Sequence, residues 1–183
     1  MQVVAELEPL PVDRARAGEA AAWEVLFRRY QRPLYVYAWE LVREEQAALD
    51  VVQEAFIAAT RHISGLQADA RFGSWLFGIA HQKCLQHWRR QNRESGQREE
   101  RDGTEGDFET SPAELLIRQE QEVEFMELLN QLPVPQRSVL LLHFIEDFSL
   151  EEIAGITEAS LGTVKSRMHY AKKALRTLLE ENV

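Results

Sequence analysis

The sequence predicts an all-α protein, and three observations support that fold class. The chain of 183 residues contains only 9 glycines and 6 prolines, the residues that most often interrupt helices. Apolar residues make up 45% of the chain, which is enough to form a folded core. Over long stretches they recur every three or four positions, as in amphipathic helices. We therefore expect one or two small helical domains.

The net charge of -9 is distributed unevenly along the chain. Residues 1–95 contain 12 basic and 12 acidic residues, residues 96–127 contain 3 and 11, and residues 128–183 contain 6 and 7. Residues 96–112 combine charges with glycine, serine and threonine and have almost no apolar side chains. This composition predicts an acidic, flexible linker. We expect two small helical domains, at 1–95 and 113–183, joined by that linker.

The sequence predicts neither a secretory signal nor a membrane span. No apolar run approaches the length of a membrane span, and residues 1–12 lack the basic start of a secretory signal. Cys84 is the only cysteine, so an internal disulfide is excluded and a reducing compartment is indicated. We expect a cytoplasmic protein without direct membrane insertion.

The segment around Asp50 predicts an amphipathic helix. Its apolar face carries Leu49, Val52, Phe56 and Ala59. Its opposite face carries Asp50, Glu54, Ile57 and Arg61. Like charges four residues apart cost a few tenths of a kcal/mol in an isolated helix. A basic partner would remove that cost and bind Ile57 as an apolar anchor, so we expect an interface; a merely solvated face is the alternative.

A second helix, predicted from about residue 72 to residue 91, is apolar on two sides. One stripe comprises Phe72, Trp75, Leu76 and Ile79, and the other comprises Phe77, His81, Cys84 and Trp88. Such a helix usually lies at the centre of a small bundle. Aromatic faces followed by Arg89, Arg90 and Arg93 also suit base stacking and phosphate contacts, so part of this helix is a candidate for binding unpaired DNA.

His81, Cys84 and His87 are spaced by threes, which raises the alternative of a metal site. A structural zinc site needs four ligands, and the neighbouring sequence offers no others. We interpret Cys84 as a small core residue and expect no metal or other cofactor. The sequence contains no phosphate-cradling glycine loop and no nucleophile–base–acid arrangement, so we expect no enzymatic activity of the chain itself.

The C-terminal part has the pattern of a DNA-binding helix-turn-helix. Ser149 and Glu152 form a capping box that begins one helix, and Ser160 caps a longer one. The apolar stripe of the longer helix comprises Leu161, Val164, Met168, Ala171, Leu175 and Leu178. Its outward side comprises Thr163, Ser166 and Tyr170, flanked by Lys165 and Arg167. This arrangement suits a recognition helix in a major groove; an ordinary helical hairpin is the alternative.

Taken together, four blocks of sequence closely resemble a bacterial RNA polymerase sigma factor of the extracytoplasmic-function (ECF) type. They are DVVQEAFI at 50–57, WLFGIA at 75–80 with WRR at 88–90, LPVPQRSVLLL at 132–142, and the helix-turn-helix. The resemblance runs from about residue 18 to residue 179, with the middle segment unmatched. It implies two helical domains, sigma domains two and four, which attach to RNA polymerase and read the minus-ten and minus-thirty-five promoter elements.

The resemblance also implies roles for individual positions. The residues implied to bind polymerase, through the coiled coil of the beta-prime subunit, are Asp50, Gln53, Glu54 and Ile57. Those implied to bind and melt the minus-ten element are Leu66, Gln67, Ala68, Asp69, Trp75, Gln82, Arg89, Arg90 and Arg93. Those implied to bind the minus-thirty-five element are Ser160, Thr163, Lys165, Ser166, Arg167 and Tyr170. Many relatives have asparagine at the position of Gln82, so the promoter sequence itself is not predicted.

We therefore expect a sigma factor that binds the beta-prime and beta subunits of core RNA polymerase, recognises promoter DNA and is controlled by an anti-sigma factor. Two alternatives remain: a stand-alone helix-turn-helix regulator, and a sigma-like decoy that only sequesters an anti-sigma factor. The first would bind DNA without polymerase. The second is disfavoured because Arg89, Arg90, Lys165 and Arg167 are all present.

Overall fold

The computed structural model describes residues 9–95 and 128–181, and every regular element within these ranges is a helix. The helices of the N-terminal unit are α1 (Val12–Arg16), α2 (Ala20–Val42), α3 (Glu45–His62) and α4 (Phe72–Ser95), with short 3-10 helices at Ile63–Gly65 and Asp69–Arg71. The helices of the C-terminal unit are α5 (Val134–Glu146), α6 (Leu150–Thr157) and α7 (Leu161–Glu181). The expected all-α class is confirmed. The predicted linker at 96–112 lies outside the described residues.

The core of the N-terminal unit forms where α2, α3 and α4 pack against one another. Leu26, Leu34 and Tyr37 of α2 are fully buried there, as are Phe72 and Leu76 of α4. Within residues 9–95 and 128–181, none of the helices combines the length and apolar character that a membrane span needs.

Both predicted apolar stripes of α4 contribute buried residues. Phe72 and Leu76 of one stripe and Phe77 and Cys84 of the other are each 2% exposed or less. The reason is that α4 contacts α2 and α3 and is also covered by α6 of the C-terminal unit. The helix therefore lies between the two units, which its sequence alone did not require.

The helix-turn-helix caps form as predicted. The Glu152 amide donates to Ser149 Oγ at 3.2 Å, and the Ser149 amide donates to Glu152 Oε2 at 2.9 Å. The Thr163 amide donates to Ser160 Oγ at 3.1 Å, which begins α7. Between the two helices, Glu158 adopts the left-handed conformation, with φ of 52°, that glycine usually supplies in such a turn.

The predicted apolar face of α3 is correct for Val52, Phe56 and Ala59, which are buried, and wrong for Leu49, which is 47% exposed. The buried arc of this helix is centred on Ala48, Val51 and Ala55. Leu49 lies beyond the edge of that arc, because small side chains allow the neighbouring helices to approach α3 on the alanine side.

A buried hydrogen bond joins α2 to α4. Tyr37 Oη and His81 Nδ1 are 2.7 Å apart, and both residues are buried. Burial, together with the positive charge of Arg167, lowers the pKa of His81 to about 4. The imidazole is therefore neutral in the folded chain at neutral pH and serves as a structural partner of Tyr37.

The burial of His81 predicts that the stability of the folded chain depends on pH. His81 has a folded-state pKa below its unfolded value, so between about pH 6.5 and pH 4 only the unfolded chain takes up the proton, and stability falls as the pH is lowered. From pH 7 to pH 5 the loss attributable to this group is about 2 kcal/mol. In His81→Gln this part of the loss should be absent when the free energy of unfolding is measured by denaturant titration at the two pH values.

The exposed His62→Gln on α3 is the matched control and should retain the wild-type loss. An unchanged pH dependence in His81→Gln would show that His81 does not fold as a buried neutral imidazole.

Candidate nucleic-acid and protein interfaces

The outer face of α3 forms an exposed surface of mixed character. Asp50, Gln53 and Glu54 are exposed, and Ile57 is 42% exposed. The apolar part continues onto α2, where Phe27 is 42% exposed and its ring lies 4.9 Å from that of Phe56. We call Asp50, Gln53, Glu54, Ile57 and Phe27 the α3 surface. Sequence reasoning missed Phe27, because its place beside α3 depends on how the two helices pack.

The acids of the α3 surface already have partners within the chain. Gln46 Nε2 donates to Asp50 Oδ1 at 3.0 Å, and Lys83 Nζ lies 2.8 Å from Glu54 Oε2. The basic partner that was expected to come from another protein is therefore already present within the chain for Glu54, as Lys83. An exposed ion pair of this kind is worth only about 0–1 kcal/mol, so a basic partner protein can replace Lys83 at little cost.

The loop before α4 presents some of its predicted side chains and buries another. Gln67, Ala68 and Asp69 are exposed, whereas Leu66 is 9% exposed. As an apolar side chain among polar neighbours, Leu66 anchors the loop in the core, and it also lines the cleft beside α4. The loop can still present its polar residues on either side of that anchor.

Arg16 of α1 holds this loop in place. Its Nη2 atom donates to Asp69 Oδ1 at 2.5 Å and to the Leu66 carbonyl oxygen at 3.3 Å. Because the ends of this short segment are bonded to one guanidinium, the loop has a defined conformation. Arg16 was not a sequence candidate, since 53 positions separate it from Asp69.

The exposed side of α4 borders a cleft of about 580 Å³. Trp75 and Gln82, both half-buried, line one wall together with the loop before α4. The opposite wall carries Glu151 and Glu152 of α6 and Glu158, which directly follows that helix. The aromatic face and the amide are thus placed where an unstacked base could lie, but in a cleft that also has acidic residues.

The C-terminal half of α4 provides the positive charge. Arg89, Arg90 and Arg93 are exposed, as expected, next to the half-buried Trp88. His87 Nε2 lies 3.5 Å from Glu44 Oε2, and His81 is bonded to Tyr37, so these two histidines contact different partners. Among the described residues, no group of three or more His, Cys, Asp or Glu side chains is arranged to hold a metal ion.

The predicted recognition helix, α7, presents only part of the expected set. Ser160, Lys165 and Tyr170 are exposed, and Thr163 and Arg167 are half-buried. Ser166 is 5% exposed, so its predicted outward position is wrong. Because α7 contacts both α5 and α6, more of its circumference is covered than its single apolar stripe indicates.

Family models match both units of the chain. A model of the sigma-70 region 2 family matches residues 26–94, and a model of the sigma-70 region 4 family matches residues 122–175. The first therefore spans nearly all of α2 to α4, and the second includes all of α5 and α6 and most of α7. The first match includes the loop before α4, the aromatic residues of α4 and the basic end of that helix. The second match includes most of the predicted recognition helix, α7.

Relatives resemble the chain over nearly its whole length. The RNA polymerase sigma-H factor of Pseudomonas aeruginosa is 33% identical over 182 residues, covering 93% of this chain and 94% of that protein. The ECF RNA polymerase sigma-E factor of Escherichia coli K12 is 30% identical over 173 residues, covering 90% of each.

A solved structure agrees with these relatives. The sigma factor RpoE of Bartonella quintana, crystallised with the anti-sigma factor NepR, superposes with a TM-score of 0.66 at 25% identity, covering 86% of this chain and 96% of that one. The family models, the relatives and the fold thus agree that the chain belongs to the ECF type of the sigma-70 family of RNA polymerase sigma factors.

Proposed function

We propose that the chain binds core RNA polymerase through the α3 surface and directs it to promoters whose minus-ten and minus-thirty-five elements are read by the N-terminal and C-terminal units. The observation that carries this proposal is that each unit matches a different sigma-70 region and exposes its own candidate interface. In this assignment, residues 1–95 are sigma domain two, 96–112 the linker and 113–183 sigma domain four. Polymerase carries out catalysis, and the chain supplies specificity.

The α3 surface suits polymerase because it combines charge with exposed apolar area. Asp50 and Glu54 can attract a basic partner, and Ile57 and Phe27 provide apolar anchors beside them. Apolar anchors give affinity, and the surrounding charges steer the encounter and select the partner. The coiled coil of the beta-prime subunit is the expected partner, and contacts with the beta subunit would involve other parts of the chain.

Minus-ten binding is assigned to the loop and the exposed side of α4. Gln67, Ala68 and Asp69 lie on a loop fixed by Arg16, and Trp75 and Gln82 face the adjoining cleft. Unpaired bases can stack on the aromatic ring and bond to the amide, while Arg89, Arg90 and Arg93 attract the phosphates. Leu66, which anchors the loop and lines the same cleft, belongs to this assigned surface.

Minus-thirty-five binding is assigned to the N-terminal turns of α7. Ser160, Thr163, Lys165 and Arg167 lie in these turns, and Tyr170 follows one turn later. A helix that enters the major groove with its N-terminus places short polar and basic side chains against base edges and phosphates. Ser166 packs behind them.

Control by an anti-sigma factor is the last part of the proposal. It is supported by the similarity to the Bartonella quintana sigma factor, which was crystallised with its anti-sigma factor. Because its proposed partner, RNA polymerase, works in the bacterial cytoplasm, we place the chain there as well.

Transcription in vitro tests the function as a whole. Core polymerase with the purified chain is assayed on promoter fragments randomised at the two elements, and we expect transcripts that start only when both are present. Tight, sequence-specific DNA binding by the chain alone, with no effect on polymerase, would instead favour the stand-alone regulator. Binding to an anti-sigma factor without polymerase binding would favour the decoy.

Reversing the acids of the α3 surface should disrupt polymerase binding. Asp50→Lys combined with Glu54→Lys replaces attraction by repulsion, so affinity for core polymerase should fall roughly ten-fold or more. Binding is measured by titration of labelled chain with core enzyme, and the helical circular dichroism should remain unchanged.

Two controls separate this effect from general changes. Glu45→Lys reverses an exposed acid on the same helix outside the α3 surface and should bind normally. Lys83→Gln removes the partner of Glu54 without altering the surface acids. Full polymerase affinity in the double reversal would contradict the assigned surface.

Shortening Gln82 should change selection within the minus-ten element alone. A lost side-chain contact to one base corresponds to about a ten-fold loss of discrimination at that position. Gln82→Ala holoenzyme is compared with wild type on libraries randomised at each element. Gln86→Ala, one turn further along α4 and exposed, is the control; a minus-ten profile that moves equally in both variants would contradict a specific role for Gln82.

Removing the charge of Lys165 should weaken promoter binding by holoenzyme and flatten its salt dependence. If Lys165 contacts a phosphate, the magnitude of the log–log salt slope should fall by about one. Lys165→Ala is measured across a salt series beside Lys173→Ala, an exposed lysine further along the same helix. Equal slopes in the two variants would exclude a phosphate contact specific to Lys165.

A further inference from the structure

The loop that precedes α4 is bracketed by two hydrogen bonds from a single side chain. Arg16 Nη2 donates to the Leu66 carbonyl oxygen at 3.3 Å and to Asp69 Oδ1 at 2.5 Å. Only Gln67 and Ala68 lie between these two acceptors, and both are exposed. Because the donors of a guanidinium are held in one rigid plane, the two acceptors are also held in a fixed relative position. The exposed dipeptide is therefore restrained at both ends.

The guanidinium is itself carried by a docked helix. Val12 and Ala15 of α1 are 1% and 2% exposed. Trp23 Nε1 on α2 donates to the Ala15 carbonyl oxygen at 3.0 Å. Arg16 follows Ala15 directly in the chain, so this contact also sets the position of the Arg16 backbone. The restraint on the loop thus originates in the packing of α1 against α2.

The same tryptophan also contacts the helix that follows the loop. The ring centroids of Trp23 and Phe72 are 6.3 Å apart, edge to face, and those of Phe72 and Trp75 are 5.9 Å apart. Phe72 is fully buried and begins α4. One connected set of contacts therefore positions both the loop and Trp75, the aromatic residue to which base stacking is assigned.

The residues of the loop face two directions. Leu66, Gln67 and Ala68 line the cleft beside α4. Among the described residues of this loop, Asp69 does not line the cleft, and its carboxylate pairs with Arg16 instead. An ionised carboxylate only accepts hydrogen bonds and repels phosphates. A carboxylate paired outside the cleft is therefore better suited to holding the loop than to contacting DNA.

The exposure of the pair determines what it can affect. The Arg16 side chain is 33% exposed and the Asp69 side chain is 44% exposed. An ion pair that is this accessible to water contributes little to the stability of a whole chain. Recognition of a base is more sensitive, because the contacting groups must be held within a fraction of an ångström of their productive geometry. The pair can therefore control the placement of the loop without deciding whether the chain folds.

We propose that Arg16 and Asp69 form a positioning pair for minus-ten recognition. Neither residue contacts a base, and together they hold Gln67 and Ala68 in the conformation that discriminates between bases at one position of the element. The identity of the DNA surface comes from the proposed function, on which this inference rests. The order of the loop, in contrast, can be measured without DNA or polymerase.

Backbone motion in the free, full-length chain tests the restraint on the loop. Amide order parameters from NMR relaxation at Gln67 and Ala68 should be about 0.85 in wild type, as in a rigid helix, and about 0.6 or less in Arg16→Gln. Arg14→Gln is the matched control, because it removes the same charge from the same helix and breaks the exposed pair of Arg14 with Glu19. Order parameters in Arg16→Gln that equal those of wild type would overturn the restraint.

Promoter selection tests the role of the pair in recognition. Holoenzymes containing wild type, Arg16→Gln or Asp69→Asn transcribe a promoter library randomised across the minus-ten element. Each variant should discriminate roughly five-fold less at one position, which is the size expected for the loss of a partly exposed ion pair. The minus-thirty-five profile should not change, and Arg14→Gln should retain the wild-type profile at both elements.

The double variant separates positioning from direct base contact. If Asp69 acts only through Arg16, then Arg16→Gln combined with Asp69→Asn should lose no more discrimination than either single change. If Asp69 contacts a base itself, the two losses should multiply to roughly twenty-five-fold, and the positioning pair would be refuted. Circular dichroism checks the folding of each variant. Because the two residues lie in different elements, misfolding of one single variant leaves the other, compared with Arg14→Gln, as the test.

Failure of the proposed function gives a different result from failure of the positioning pair. A wild-type holoenzyme with no preference within the minus-ten element would refute the function, whatever the variants do. A wild-type preference that Arg16→Gln and Arg14→Gln both retain unchanged would leave the function intact and overturn the positioning pair.

Discussion

Burial of α4 from two directions is the constraint on which the rest of the structure depends. Phe72 and Leu76 fix the helix in the N-terminal bundle, while Phe77 also contacts Phe148 of the C-terminal unit. The second stripe is covered partly by α2, through Tyr37, and partly by the C-terminal unit, through Phe148. α4 is therefore the common element of the two units, and the DNA surface proposed along it borders their contact.

The ion pairs of the structure are of two kinds, one shielded from water and the other exposed to it. The carboxylate of Glu146 is shielded from water and held by two bonds from Arg29, so its pairing depends on the relative position of the units. Glu54 and Lys83 instead meet at the solvent-exposed side of α3 and α4. Exposed pairs exchange partners cheaply, whereas breaking a shielded pair leaves an unpaired carboxylate. The exposed kind suits docking of another protein, and the shielded kind fixes the relative position of the two units.

Sequence reasoning succeeded where the physical cause is local and failed where it is distant. The capping box of Ser149 and Glu152 was predicted correctly because it involves residues three apart. The predicted burial of Leu49 and the predicted exposure of Ser166 were wrong, since burial at the edge of a helix face depends on which neighbour covers it. The roles of Arg16 and Arg29 were missed because their partners lie 53 and 117 positions away.

The sequence by itself determined the all-α class, the positions of the helix-turn-helix caps and the membership in the sigma-factor family. These depend on hydrogen bonds within a helical turn, on apolar periodicity and on motif order, all of which can be inferred along the chain. Only the tertiary structure decided that α6 covers α4, that Glu146 meets Arg29 and that the cleft beside Trp75 and Gln82 has acidic residues on its opposite wall. Those contacts form between helices distant in sequence, where the fit of side chains and the desolvation of charges, and not local preference, select the arrangement.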